Sequence, residues 1–210
     1  HVINQDIVTF TGSAITGMML KKHPRLLEES VPFNMEADSL NCCVLGLDAA
    51  PGTRDFDIFI KEIHREIVTK AGQKCTAVRR VMVPENFVED VQLALSKRLQ
   101  STTIGDPQLD GVRMGALAGK AQLKEVTEKI AKLAVSQQII YDGRDAMQLT
   151  GGDKNKGAFI APVIFLNANP FTNIDCHNIE AFGPISTIMP YKTIDDAIQA
   201  DYIDMPAMLL

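Results

Sequence analysis

A doubly wound, mainly parallel α/β sheet is the fold this chain predicts, on three observations. Short apolar runs at Ile7–Phe10, Cys42–Leu45 and Val81–Val83 have the length of buried strands. Longer stretches carry apolar residues at helical spacing: Phe56, Phe59, Ile60, Ile63 and Ile67, then Val88, Val91, Leu95 and Leu99, then Leu123, Val126, Ile130 and Leu133. The two kinds of segment alternate, and strands separated by full helices pair in parallel through crossovers.

The elements read as follows. After the first strand, Ser13 is a suitable N-cap for a helix running to Lys22, whose lysines suit a C-terminal turn. The helix from Phe56 ends at Gly72, a natural terminator. Pro84 stops the strand at Val81–Val83, and a polar, glycine-rich connection spans Gly105–Gly115. Ile139–Tyr141, Phe159–Ile164 and Ile185–Met189 are further strand candidates. Thr193 caps a last helix with Asp195 and Asp196 in its first turn.

At 210 residues the chain suits one large domain, or one domain plus part of another. With 46% hydrophobic and 22% charged residues it has the balance of a soluble globular protein. Its net charge of −5 (21 basic against 26 acidic residues) and lack of a basic stripe argue against nucleic-acid binding. No apolar run is long enough to span a bilayer and no signal peptide opens the chain, so no membrane association is expected. Four cysteines, two of them adjacent, do not form a disulfide framework; reduced thiols and a cytoplasmic location are the expectation. The start at His1 and the apolar end Met208-Leu209-Leu210 suggest part of a longer polypeptide.

Cys75 is the residue with most chemistry to offer. It lies in AGQKCTAVRR (71–80), between a helix exit and a strand, with Gly72 relaxing the turn. The thiolate is the reactive form of cysteine, and the neighbouring Lys74 is expected to favour it. Against this stands the reading of a small residue used for packing. Cys42 and Cys43, in an apolar run, are expected in the core. The Gly12-Ser13-Ala14-Ile15-Thr16-Gly17 turn opens a helix whose N–H groups suit a phosphate, although it is neither GxGxxG nor a Walker loop, and an ordinary tight turn explains it equally. Glu36 by itself reads as a solvated carboxylate, and Phe182 as a hydrophobic anchor in a loop. Cys176-His177 lacks a second pair with ligand spacing, so no metal site is expected. His23 and His64 read as surface residues.

In combination these segments resemble a known family. FTGSAITG, AGQKCTAVRR, GDPQLDGVRMGAL and EAFGPISTIMPY occur in the order and approximate spacing of the aldehyde dehydrogenase superfamily. The resemblance covers almost the whole chain and weakens after about residue 200. It implies that Cys75 is the nucleophile and Glu36 the general base. It further implies that Gly12, Ser13 and Gly17 face a cofactor pyrophosphate, Glu180 binds the nicotinamide ribose, and Phe182 lies beside the nicotinamide. NAD or NADP is the implied cofactor. Residues 1–39 then correspond to the end of a Rossmann-like NAD(P)-binding domain and 40–210 to the catalytic domain, incomplete at its C-terminus.

The usual family pattern after the glutamate is Glu-Leu-Gly-Gly-Lys, whereas this chain has EADSLNCCVLG (36–46). That variant resembles the dehydrogenase domain of bifunctional phenylacetate-degradation proteins, joined there to a hotdog-fold enoyl-CoA hydratase. The substrate this subfamily resemblance implies is a CoA-linked semialdehyde, oxidised through a thiohemiacetal and a thioester. A homo-oligomer is the implied assembly of the full-length protein. The rival expectation is a catalytically incomplete module of a longer enzyme, since the resemblance puts an oxyanion-binding asparagine upstream of residue 1.

Overall fold

The structure, a computed structural model, describes residues 2–203; the apolar end of the chain lies outside the described residues. The chain divides into two compact units, His1–Ser39 and Leu40–Leu210.

The first unit is a single strand–helix–strand crossover. It runs β1 (Val8–Gly12), α1 (Ala14–Lys21), α2 (Pro24–Glu28) and β2 (Phe33–Ala37). The two strands pair in parallel from Val8 opposite Phe33 to Gly12 opposite Ala37. Ser13 caps α1 as expected, its Oγ accepting from the Thr16 N–H. Gly17 is buried because α1 lies close on β2: a Cβ there would stand 2.3 Å from the Met35 sulfur. The short α2 was not foreseen. Pro24 opens it, and the His23 imidazole accepts from the Arg25 N–H.

The second unit continues with β3 (Asn41–Val44), α3 (Arg54–Val68), β4 (Val78–Pro84), α4 (Val88–Gln100), β5 (Ile104–Gly105), α5 (Lys120–Leu133), β6 (Gln138–Asp142), β7 (Leu149–Thr150), β8 (Val163–Leu166), α6 (Asp175–Asn178), β9 (Ile185–Tyr191) and α7 (Ile194–Tyr202). Its main sheet has the order β3-β4-β9-β8-β6, parallel except for β6. The pair β5 and β7 forms a separate parallel ribbon.

Alternation along the central strands shows that both faces of this sheet are covered. Val81 and Val83 enter the large core built with Phe59, Ile63, Ile67, Val91, Leu95, Val126 and Ile130. The intervening Met82 enters a second core with Met189, Tyr191, Ala197, Ala200 and Cys176. So α3, α4 and α5 supply one layer and α6 and α7 the other, the doubly wound arrangement read from the sequence. Truncating a side chain as enclosed as Ile63, 1% exposed, to alanine is expected to cost roughly 2–5 kcal/mol.

Three expectations need correction. Cys42 and Cys43 are only half-buried, because β3 is an edge strand of the sheet. Strand structure begins at Val163 rather than Phe159; Pro162 has no N–H to give a ladder, and its carbonyl accepts instead from Gly143. His64 is half-buried and bonds through Nε2 to the Thr102 hydroxyl at 2.8 Å.

Candidate functional site

Cys75 follows an unusual stretch of backbone. After α3 the chain turns through Lys70, Ala71 and Gly72, with φ of 54°, 51° and 70°. Left-handed conformation costs a non-glycine residue roughly 1–2 kcal/mol, so Lys70 and Ala71 are held there by their surroundings. Ala71 and Gly72 are buried, whereas Cys75 and Thr76 are exposed. The strained turn therefore brings the thiol out to the surface within three residues of a packed core.

The loop is anchored at several points. Asn41 at the start of β3 donates from Nδ2 to the Cys75 carbonyl at 2.6 Å and to that of Ala77 at 3.2 Å. Lys74 pairs with α3, its Nζ 2.7 Å from Glu66. Its charge is thus shared with a carboxylate.

The segment Glu180–Gly183 enters β9 as the Cys75 loop enters β4. Because β4 and β9 pair in parallel, Arg80 opposite Thr187, the two loops arrive together at the N-terminal edge of the sheet. Arg79 ties them. Its Nη2 donates to Gly72 O and its Nη1 to Gly183 O, each at 2.6 Å. The guanidinium carbon lies 5.5 Å from the centre of the Phe182 ring, within cation–π range. Burial lowers the Arg79 pKa to about 10, with Glu180 and Glu66 pulling the other way, so it stays charged at neutral pH. Glu180 is buried with its Oε1 3.9 Å from Arg79 Nε, an ion pair rather than a hydrogen bond. Gln73 adds a second tie: Nε2 donates to Phe182 O at 3.2 Å and Oε1 accepts from the Ala118 N–H at 2.7 Å.

In the first unit, Gly12, Ser13 and Glu36 gather at one edge. Thr11 is opposite Glu36 and Gly12 opposite Ala37, so the carboxylate and the turn into α1 share the C-terminal end of the two strands. Ligands of parallel α/β sheets favour that end. Glu36 is exposed, since β2 alternates with Phe33, Met35 and Ala37 inward. Part of the helix start is already used: Ala14 N–H donates to Asp38 Oδ1 and Thr16 N–H to Ser13 Oγ. Gly17 faces β2, where it permits close packing.

The sequence reading singled out Cys75, Phe182 and Glu180 as candidates and passed over Asn41, Gln73 and Arg79. All three lay in the segments singled out. Their roles depend on carbonyls more than thirty residues away, or across a turn, and no local pattern marks such contacts. Cys176 and His177 belong to another network. His177 is fully buried; Arg80 can only donate, so His177 Nδ1 accepts from it at 3.1 Å and Nε2–H donates to Pro170 O at 2.9 Å.

Comparison with known proteins agrees with this architecture. Residues 4–201 match the aldehyde dehydrogenase family, and the chain belongs to it. It is 38% identical over 198 residues to a 3,4-dehydroadipyl-CoA semialdehyde dehydrogenase of Aromatoleum evansii, covering 94% of this chain and 38% of that protein. An aldehyde dehydrogenase of Mycobacterium tuberculosis solved with NAD+ superposes with a TM-score of 0.77 at 25% identity, over 93% of this chain and 38% of that one. Betaine aldehyde dehydrogenase of Staphylococcus aureus, at 22% identity and a TM-score of 0.80, shares the fold over 93% of this chain and 36% of its own. The chain therefore spans well under half the length of these relatives.

Proposed function

We propose that the polypeptide carrying this chain oxidises an aldehyde to a carboxylic acid with NAD(P)+, by covalent catalysis at Cys75. The observation that carries the reading is the exposed thiol, set on a strained turn and tied through Arg79 and Gln73 to the loop of Phe182. Residues 1–39 are read as the end of the NAD(P)-binding domain and 40–210 as catalytic domain. The Gly12–Ser13 turn, with its exposed hydroxyl at a helix start, suits a pyrophosphate, Gly17 lets that helix pack, and Phe182 offers an aromatic face to a nicotinamide.

In this scheme the Cys75 thiolate adds to the aldehyde carbon, and the Cys75 backbone N–H donates to the oxyanion that forms. NAD(P)+, when bound, supplies the hydride acceptor that turns the thiohemiacetal into a thioester. The Glu36 carboxylate then takes a proton from water, which attacks the thioester and expels the thiolate. Glu180 would meet the ribose from within its ion pair with Arg79.

The substrate is read as a CoA-linked semialdehyde of aromatic-acid breakdown, on the likeness to the Aromatoleum protein. Fusion to a hotdog-fold hydratase and self-association are part of the same reading, and the mass of the native complex tests both. Among the described residues no helix is long and apolar enough to cross a membrane. A cytoplasmic setting is inferred from the thiol chemistry.

The test is aldehyde-dependent formation of NAD(P)H by the full-length protein, compared with Cys75→Ala. Wild-type turnover abolished by the substitution is expected; undiminished NAD(P)H production by the variant would sink the assignment. A second reading, a module that cannot work alone, is favoured by the coverage of 38% of the Aromatoleum relative. Titrating the 210-residue chain with NAD+ distinguishes the two, since the module reading expects no binding.

A further inference from the structure

Gln73 sits two residues before the nucleophile and bonds to two other segments at once. Its side chain reaches 109 residues along the sequence to the Phe182 carbonyl and 45 residues to the Ala118 N–H. Arg79 also ties the turn before Cys75 to the Phe182 loop, through Gly72 O and Gly183 O, but it is buried and paired with Glu180, so its loss would disturb the core. Gln73 is only half-buried. Its amide is the one of the two ties that can be cut without leaving a charge stranded in the interior.

We propose that Gln73 is a positioning residue: by donating to the Phe182 carbonyl it holds the aromatic ring where it packs against the bound nicotinamide. The proposal rests on the reading of Cys75 as nucleophile and Phe182 as nicotinamide neighbour. The two halves of the Gln73 amide do different jobs. Oε1 meets the segment before α5 at Ala118, while Nε2 is the half that reaches the Phe182 loop. A glutamate at 73 still accepts from Ala118 but has nothing to donate to Phe182 O. An alanine loses both contacts.

The experiment compares Gln73→Glu and Gln73→Ala with wild type in the full-length protein, measuring KM for NAD+, kcat, melting temperature and amide hydrogen exchange. Both variants are expected to raise KM for NAD+ about tenfold, the worth of one lost hydrogen bond, while kcat falls less. Both should also speed exchange in Ala181–Gly183. A defect confined to Gln73→Ala, or a lowered melting temperature with KM unchanged, overturns the proposal, because a purely structural tie would behave that way. Unchanged exchange in both variants also overturns it. Absence of any NAD(P)+ reduction by wild type overturns the functional reading instead, and the exchange measurement still decides whether the tie exists.

Discussion

Gly72 and Gly183 meet backbone against backbone: a Cβ added at Gly72 would stand 2.2 Å from the Gly183 carbonyl oxygen. That oxygen also accepts from Arg79 Nη1, and the Gly72 carbonyl accepts from Arg79 Nη2. The turn before Cys75 and the Phe182 loop thus lie main chain against main chain, and the Arg79 side chain clamps the two carbonyls.

Gly72→Ala is expected to destabilise the fold on two counts. The residue has φ of +70°, and its new methyl would collide with main chain that cannot rotate away. Strain and overpacking together should cost roughly 3 kcal/mol or more, a fall of about 6–12 °C in Tm for a chain this size. Thermal unfolding measures it; a melting point equal to wild type would show that the two loops are not in contact.

Alkylation should find Cys75 first. It is exposed, whereas burial pushes the Cys42 and Cys176 thiols up to about 11 and raises Cys43 as well. At pH 8 a thiol of pKa 11 is only about one part in a thousand thiolate. Limited iodoacetamide treatment of the folded chain followed by peptide mass spectrometry should place the label on residue 75. Equal labelling of Cys176 would contradict the burial described.

Glu36→Gln should separate the two halves of the proposed reaction. The first turnover needs the thiol, and only the hydrolysis needs a base, so a burst of NAD(P)H followed by steady turnover slowed roughly 10²–10⁴-fold is expected. Intact-mass spectrometry of the quenched protein should show the acyl adduct. Unimpaired steady turnover would remove Glu36 from the mechanism.

Acidification should weaken the fold through His177. Burial, reinforced by the Arg80 charge, holds its pKa below the ordinary 6.5, against the pull of the Pro170 carbonyl and Asp201. The unfolded chain therefore binds the proton first. Stability is fully present above pH 6.5 and declines as pH falls from there toward the folded-state value. His64, lowered by burial and by Arg98, acts in the same direction. Urea midpoints between pH 7.5 and 5 should fall for wild type and fall less for His177→Gln; identical slopes would rule His177 out.

Much of this molecule was legible in the sequence because the deciding forces are local. The apolar spacing from Phe56 to Ile67 gave α3, and the hydroxyls of Ser13 and Thr193 gave the starts of α1 and α7. The segment around Cys75 stood out by its residues, and that around Phe182 only through the family resemblance. What the local pattern does not show is which neighbours each residue meets. Lys74 is adjacent to Cys75 in the chain, and only the fold shows that its ammonium pairs with Glu66 of α3. Cys42 and Cys43 sit in an apolar run, yet β3 ends up at the sheet edge and leaves them half exposed.

By itself, then, the sequence determined most of the helices and strands and the doubly wound class, and it singled out Cys75 as the candidate thiol. Each depends on patterns within a few residues. Only the tertiary structure decided that Arg79 and Gln73 join the two loops, that Gly72 must lie against Gly183, and that His177 is a buried acceptor for Arg80. These contacts arise when β4 and β9, about a hundred residues apart, pair in parallel. The free energy of that pairing comes from shared burial of both sheet faces, a property of the assembled core that no short window of sequence contains.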